Sequence, residues 1–180
     1  MKGSTYIKFE EARLKAMQLI RTGDKPSFGL LIITGISTGL RYSDLIELTY
    51  GELRGDSFTI TEKKTGKERK IIVSDHIKVA MEYFKDDFKY PDNYKAFRSQ
   101  KGSVYSNKSV NRLLQEYFKG DRISSHSLRK SFGRRVYNAN GQSEAALMKL
   151  SEIFAHRDIA TTRKYLGLRQ EELDAVYLNL

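Results

Sequence analysis

Apolar residues recur at helical spacing along most of the chain, and one short stretch near residue 60 alternates instead. Lys8–Arg21 has the broad apolar face of an amphipathic helix. Ser27–Thr38 is apolar on nearly every side, which indicates a buried helix, and Gly39 follows as a helix stop signal. Arg41–Leu48 predicts a third, shorter helix.

The alternating stretch predicts a β-hairpin across Asp56–Ser74. Apolar residues alternate around Phe58 and Ile60, and a polar turn follows at Lys64–Lys67. The chain then becomes apolar again at Ile71–Val73, as the returning strand of a hairpin would. This is the one part of the chain whose pattern favours strands over helices.

Helical spacing returns after the hairpin, except in a loop-like stretch at Pro91–Gly102. The helices that we predict are Asp75–Phe88, Lys108–Phe118, Ser127–Asn138, Ser143–Phe154, Ile159–Leu166 and Gln170–Tyr177. The sequence has no internal repeat, low-complexity segment or long linker. We therefore expect a single domain over residues 1–180, mainly α with a small antiparallel β-sheet.

Composition narrows the possible classes of function. The 180 residues are 39% hydrophobic and include no cysteine, which excludes a disulfide scaffold, thiolate chemistry and a cysteine zinc site. The sequence has neither a signal-peptide pattern nor an apolar run of about 20 residues, the length that spans a bilayer. We expect a cytoplasmic protein without a membrane partner.

Charge is the first clue to function, because the formal net charge is +10. A strongly basic surface favours polyanions, although an excess of lysine can also serve solubility alone. In the segment Glu62–Lys70 the cations concentrate at the predicted hairpin turn, at Lys63, Lys64, Lys67, Arg69 and Lys70. This turn is either a solubilising tip or a contact to a nucleic-acid backbone.

Two arginine motifs suggest phosphate binding. In SSHSLRKSFGRRV, His126 and Arg129 lie three residues apart and share a helix face near its N-terminus, where free N–H groups favour anions. In STGLRYSDLIEL, Arg41 follows a buried helix and Asp44 could orient its guanidinium. Solvent-facing side chains and a structural Arg–Asp pair explain the same patterns without function.

A third motif, FAHRDIATTRKYLGL, places Tyr165 nine residues after His156. A helical tyrosine is usually a core or boundary residue, and a free phenol is a poor nucleophile at neutral pH. Tyr165 becomes reactive only if cations stabilise the transition state and a neighbouring group accepts its proton.

Taken in order, these motifs resemble the catalytic domain of the tyrosine recombinases, also called the phage integrase family. The resemblance extends from Phe9 to Leu180. It depends on Arg41 in TGLRYSDL, Lys64 in KKTGK, His126 and Arg129 in SHSLR, His156 in FAHRD, and Tyr165. It implies the fold of that domain, mainly helical with a small antiparallel sheet.

The resemblance also implies a mechanism. Arg41 and Arg129 would hold the scissile phosphate, His126 and His156 would hydrogen-bond it, and His126 would help to take the tyrosine proton. Lys64 would protonate the leaving 5′-oxygen, and Tyr165 would form a 3′-phosphotyrosine. Asp44 would brace Arg41. The resemblance implies no metal ion and no cofactor.

The implied partners are double-stranded DNA and further copies of the chain. A synaptic tetramer would form through the tail after Tyr165, whose apolar stripe is Leu168, Leu173, Val176, Tyr177 and Leu180. The same stripe could instead pack against its own core, and the free protein could be a monomer. Full-length members also carry an N-terminal DNA-clamping domain, for which this chain has no room, so we expect a truncated form of a longer protein.

One local departure from the family pattern lies before His156, where Phe154-Ala155 replaces the frequent Leu-Gly. The function that we expect is integration or excision of a phage or mobile element. A chromosome-dimer resolvase, a type IB topoisomerase, a non-catalytic DNA-binding module and a metal-independent RNase using His126 and Lys64 are the alternatives.

Overall fold

A computed structural model gives the fold, and it describes residues 3–168, 174 and 176–178. Its helices are α1 Phe9–Thr22, α2 Pro26–Thr38, α3 Tyr42–Leu45, α4 Tyr50–Arg54, α5 Asp75–Met81, α6 Asn107–Tyr117, α7 Ser125–Ala139, α8 Glu144–Phe154 and α9 Ile159–Leu166. Its strands are β1 Ser57–Thr61 and β2 Glu68–Ile72, which pair antiparallel. The predicted class, mainly α with a small antiparallel sheet, is confirmed.

Helices α1 and α2 form the centre of the larger core. Helix α2 is buried along most of its length, as its uniform apolar pattern predicts. The two helices are in close contact at Gly29, where an added Cβ would lie 2.5 Å from the carbonyl oxygen of Ala16. Gly39 then ends α2 at φ 63°, a left-handed conformation that favours glycine, and directs the chain towards Arg41.

The hairpin pairs as the alternation predicts. Phe58 lies opposite Ile71, and Ile60 lies opposite Arg69. Phe58 and Ile71 are both buried against the core. The turn is closed by bonds from the Thr65 and Gly66 amides to the Glu62 carbonyl, at 3.3 and 2.8 Å.

A second, smaller core joins α7, α8 and α9. Its buried members include Tyr137, Leu147, Leu150, Phe154 and Leu166, with Tyr165 packed at its edge. Gly133 on α7 lets α9 approach closely, since a Cβ there would lie 2.6 Å from Leu166 Cδ2. This core holds the helix of Tyr165 beside the N-terminal half of α7.

Two predicted helices differ from the structure. The predicted helix Arg41–Leu48 is shorter, because the backbone of Leu48 and Thr49 pairs with the segment at Lys95 and Ala96. Thr49 then caps α4, which the sequence analysis did not predict.

The helix predicted at Asp75–Phe88 ends as α-helix at Met81 and continues as a 3₁₀ turn to Phe84. The prediction Gln170–Tyr177 lies largely outside the described residues, as do Leu173 and Leu180 of the apolar tail. None of the helices described is long and apolar enough to cross a membrane.

We expect Gly29→Ala to destabilise the protein, because a side chain at the α1–α2 contact must push two backbones apart. Overpacking typically costs about 1–3 kcal/mol, which exceeds the roughly 1 kcal/mol that alanine gains over glycine in a helix. Urea unfolding measures the change in the free energy of unfolding. Gly55→Ala is the matched control, since its Cβ would meet only ordinary contacts. Equal stability of the Gly29 variant and the wild type would contradict this packing argument.

Candidate active site

Arg41 lies at the junction between α2 and α3, where Gly39 has turned the chain. Its Nη1 donates to Glu62 Oε2 at 2.7 Å, and its Nη2 donates to the Phe154 carbonyl at 2.9 Å. The side chain is 17% exposed, so the guanidinium is held by fixed partners yet reachable from solvent. Arg41 thus links the hairpin to the end of α8.

Arg129 lies in the N-terminal half of α7 and is buried. Its Nη1 donates to the Gly39 carbonyl at 2.5 Å, and its Nη2 donates to the same Phe154 carbonyl at 3.0 Å. The guanidinium carbon is 4.2 Å from the centre of the Phe154 ring. Burial lowers the pKa of Arg129 to about 10, so the group remains charged at neutral pH.

The Phe154 carbonyl therefore accepts hydrogen bonds from both arginines. It lies at the C-terminus of α8, where unpaired carbonyls carry partial negative charge that favours cations. Ala155 follows at φ 49°, in the left-handed region, and ends the helix. This conformation accounts for the glycine that is frequent at this position in the family, because glycine adopts it without strain, and it makes Ala155 a strained residue here.

His156 follows directly and is oriented by α9. Its Nδ1 lies 2.9 Å from the buried hydroxyl of Thr162, which leaves Nε2 for another partner. Burial and the charge of Arg129 lower the pKa of His156, so the ring is neutral at pH 7.

Tyr165 lies in the last turn of α9, which Asp158 caps at its start and Gly167 at its end. The Tyr165 ring packs edge-on against Phe154 and His156, with ring centres 5.5 and 5.2 Å apart. Its hydroxyl oxygen is buried and makes no hydrogen bond within the described part of the chain.

The environment acts on the Tyr165 hydroxyl in two opposite ways. Burial raises its pKa, while the positive charges of Arg129 and Arg41 act to lower it. Lys130 adds a third cation, with Nζ 5.1 Å from the centre of the tyrosine ring. The phenol is therefore protonated at neutral pH, in a cationic environment that would stabilise its anion.

His126, the second predicted histidine, is exposed at the start of α7. Partial burial and the charges of Arg129 and Lys130 lower its pKa, and Arg41 and Lys64 add to the effect. The ring is therefore neutral at pH 7 and able to accept a proton. Five residues from the α2–α3 junction, the start of α7 and the α8–α9 segment thus lie near one another: Arg41, Arg129, His126, His156 and Tyr165.

Lys64 lies in the hairpin turn with an exposed side chain. The residues on either side of it are anchored: the Lys63 amide donates to Asp44 Oδ1 at 3.0 Å, and the Thr65 hydroxyl donates to Glu62 Oε2 at 2.8 Å. The turn faces the histidines closely enough for the charge of Lys64 to lower the pKa of both His126 and His156.

Two expectations need correction. The carboxylate bonded to Arg41 is Glu62, whereas Asp44, the residue expected to brace Arg41, holds the hairpin at the Lys63 amide. Arg69, expected among the cations that face DNA, points into the protein and donates to the carbonyls of Ile153 and Thr38 at 3.2 and 3.1 Å. Its neighbours on β2 place it on the inward face of the strand.

The other three predicted DNA contacts lie on the surface. Lys67 and Lys70 are exposed, and Lys63 is exposed with Nζ 2.7 Å from Glu47 Oε1. Among the described residues, no group of three or more His, Asp or Glu side chains could hold a metal ion.

Glu62 and Thr162 belong to the site although the sequence motifs did not point to them. For Glu62 a signal was present, since it continues the inward phase of Phe58 and Ile60 and so places a carboxylate towards the core. Burial acts to raise the pKa of Glu62, but bonds from Thr65 and Arg41 outweigh it, so the pKa lies below its ordinary value. Thr162 bonds His156 only six residues earlier, but the helical pattern alone did not show which of the neighbouring threonines, Thr161 or Thr162, turns towards the histidine.

Comparison with known families agrees with this geometry. The family model described as "Phage integrase family" matches residues 11–172, most of the chain. The chain belongs to the phage integrase family. The resemblance noted from the motifs is thereby confirmed.

Two relatives give the family context. The chain is 31% identical over 152 residues to the probable integrase/recombinase YoeC of Bacillus subtilis (strain 168), covering 82% of this chain and 81% of YoeC. It is 29% identical over 174 residues to the tyrosine recombinase XerC of Xanthomonas campestris pv. campestris (strain B100), covering 91% of this chain. The chain spans about half, 52%, of that XerC.

Solved structures share the fold. XerA recombinase matches with a TM-score of 0.68 at 19% identity, over 98% of this chain and 64% of the XerA chain. A XerH site-specific recombinase bound to a palindromic difH substrate, in a post-cleavage complex, matches with a TM-score of 0.65 at 24% identity, over 98% and 53%. The predicted catalytic-domain fold of this family is thus confirmed.

We expect Ala155→Gly to stabilise the protein, because glycine removes the cost of the left-handed conformation, about 1 kcal/mol for alanine. Urea unfolding again measures the change. The control is Ala145→Gly on the exposed face of α8, where glycine should cost up to about 1 kcal/mol. Equal losses of stability in the two glycine variants would show that Ala155 carries no strain that glycine relieves.

Proposed function

We propose that this chain is the catalytic part of a site-specific DNA recombinase, which cleaves and rejoins DNA through Tyr165. The supporting observation is the convergence of Tyr165 and His156 with the two arginines that share the Phe154 carbonyl. A buried cationic cluster beside a tyrosine provides what a phenol needs to attack a phosphodiester.

In the proposed step, phosphorus gains a bond to Tyr165 and loses its bond to the 5′-oxygen. The Tyr165 oxygen attacks phosphorus while its proton passes to neutral His126, and a 3′-phosphotyrosine forms. The bond from phosphorus to the 5′-oxygen breaks, and Lys64 gives that oxygen a proton. Arg41 and Arg129 stabilise the extra negative charge, since each guanidinium has five N–H donors and spends only some on the protein.

His156 completes the site as a neutral hydrogen-bond donor to the phosphate. Its bond to Thr162 fixes the ring and leaves Nε2 for the phosphate, and the Tyr165 ring packs against it. A neutral donor suits this position, because Arg129 and Arg41 already supply the positive charge. Reversal of the cleavage step by a 5′-hydroxyl from another duplex would exchange strands and needs no external energy source.

We further propose double-stranded DNA and further copies of this chain as partners. The XerH relative is named as bound to its difH substrate, and a lambda integrase structure of the same fold is named as a dimer bound to a COC′ core site. Integration or excision of a mobile element is the wider role that we propose, in keeping with the naming of YoeC as a probable integrase/recombinase.

Covalent trapping tests the proposed chemistry. The substrates are duplexes nicked just 3′ of the scissile phosphate, with randomised sequence on both sides, so that the short leaving strand diffuses away. We expect the wild type to form a protein–DNA adduct on denaturing gels with a chelator present, and Tyr165→Phe to form none.

The matched control is Tyr137→Phe, a buried tyrosine of the same small core, which should keep the adduct. Failure of the wild type on all substrates, despite DNA binding, would leave a DNA-binding module. An adduct that persists in Tyr165→Phe would show a different nucleophile.

Histidine titration tests where the phosphate binds. In the uncleaving Tyr165→Phe variant, we expect duplex DNA to raise the pKa values of His126 and His156, because an adjacent anion favours imidazolium. His76 is the internal control: it packs on Phe9 and contacts Arg135, and burial lowers its pKa without any role in the site. NMR titration of the three rings measures each value. Equal shifts of all three would indicate general attraction of DNA, not a phosphate bound in this cluster.

A further inference from the structure

Glu62 is a buried carboxylate at the base of the hairpin turn, with 4% of its side chain exposed. Its Oε2 accepts from Arg41 Nη1 at 2.7 Å and from the Thr65 hydroxyl at 2.8 Å. Arg69 Nη1 lies 3.8 Å from Oε1. One carboxylate thus joins an arginine of the phosphate cluster to a residue of the turn.

That turn residue, Thr65, directly follows Lys64 in the sequence. Thr65 is tied to Glu62 on one side of Lys64, and the Lys63 amide is tied to Asp44 on the other. The Lys64 side chain itself is exposed, so its position depends on how the turn is held. A flexible ammonium on a loose turn would spend little time at one oxygen atom.

The fold does not need this carboxylate to close the turn. The Gly66 and Thr65 amides already donate to the Glu62 carbonyl, and the Glu62 amide donates to the Lys67 carbonyl at 3.0 Å. Burying a carboxylate is unfavourable, and an apolar side chain often serves a core at least as well as a buried ion pair. A role in the reaction accounts for the carboxylate better than stability alone.

We propose that Glu62 is a positioning residue that fixes Lys64 relative to Arg41, through its shared bonds to Thr65 and the Arg41 guanidinium. The proposal rests on the proposed function, in which Lys64 protonates the leaving 5′-oxygen while Arg41 holds the phosphate. In this proposal, the connections from Lys64 through Thr65 and Glu62 to Arg41 set the distance between the general acid and the phosphate.

The test separates Lys64 from Arg41 by the chemistry of the leaving group. A substrate with sulfur in place of the bridging 5′-oxygen releases a thiol, which is far more acidic than an alcohol and leaves without a proton donor. Variants that disturb only the general acid should therefore be slow on the oxygen substrate and normal on the sulfur substrate. Variants that disturb phosphate binding should be slow on both.

Thr65→Val is the decisive variant, because it removes the bond to Glu62 and leaves the Glu62–Arg41 ion pair in place. We expect single-turnover adduct formation to slow about tenfold on the oxygen substrate, the effect of losing one hydrogen bond that holds a reacting group. The sulfur substrate should react within twofold of wild type. Lys64→Ala should show the same pattern more strongly.

Two variants complete the design. Thr65→Ser keeps the hydroxyl and should restore cleavage of the oxygen substrate. Thr59→Val makes the same change on the exposed face of β1, outside the turn, and should react as wild type on both substrates.

Equal slowing of both substrates by Thr65→Val would overturn the proposal, as would normal cleavage of the oxygen substrate by that variant. Absence of any wild-type adduct on either substrate would instead remove the proposed function, and the role of Glu62 with it. Wild-type cleavage with a normal Lys64→Ala variant would leave the function standing and overturn the assignment of Lys64, hence of Glu62.

Discussion

The site depends on two positive charges held close together by one carbonyl oxygen. Arg41 and Arg129 both donate to the Phe154 carbonyl, and their mutual repulsion would separate them in the absence of shared acceptors. The carbonyl suits this role because it ends α8, where partial negative charge accumulates. Arg129 is bound further by the Gly39 carbonyl, and Arg41 by the Glu62 carboxylate. Three chain segments, the ends of α2, α8 and β1, are therefore fixed by the same two guanidiniums.

The two guanidiniums give the site a positive potential that favours the binding of an anion. Burial lowers the pKa of Arg129 to about 10, which measures how unfavourable its charge is where the protein holds it. The lowered pKa values of His126 and His156 have the same origin, since burial and the arginine charges both disfavour a further proton. A phosphodiester that entered would relieve this repulsion. The folded protein already holds these charges in place, so little reorganisation is needed at the moment of reaction.

Sequence patterns predicted the helices and the hairpin better than the side-chain contacts between them. Helix α9 matches its predicted bounds because Asp158 and Gly167 are local caps, and local signals are readable in sequence. The hairpin and its turn at Lys64–Lys67 were readable for the same reason. The partners of Arg41 were not, because proximity in sequence favoured Asp44 and the fold chose Glu62, 21 positions away. Arg69 was assigned from charge alone, although its alternation with Ile71 placed it on the inward face.

Two opposite effects act on the hydroxyl of Tyr165, the proposed nucleophile. Burial raises the pKa of Tyr165, and the cations that oppose this effect are those that would bind the phosphate. Once a phosphate neutralises them, the phenol becomes a weaker acid at the moment when it must react. Prior ionisation is therefore a poor route, and proton transfer should accompany attack. A neutral histidine is the group suited to that transfer, and burial together with the cationic cluster lowers the pKa of both His126 and His156, which keeps them neutral until an anion arrives.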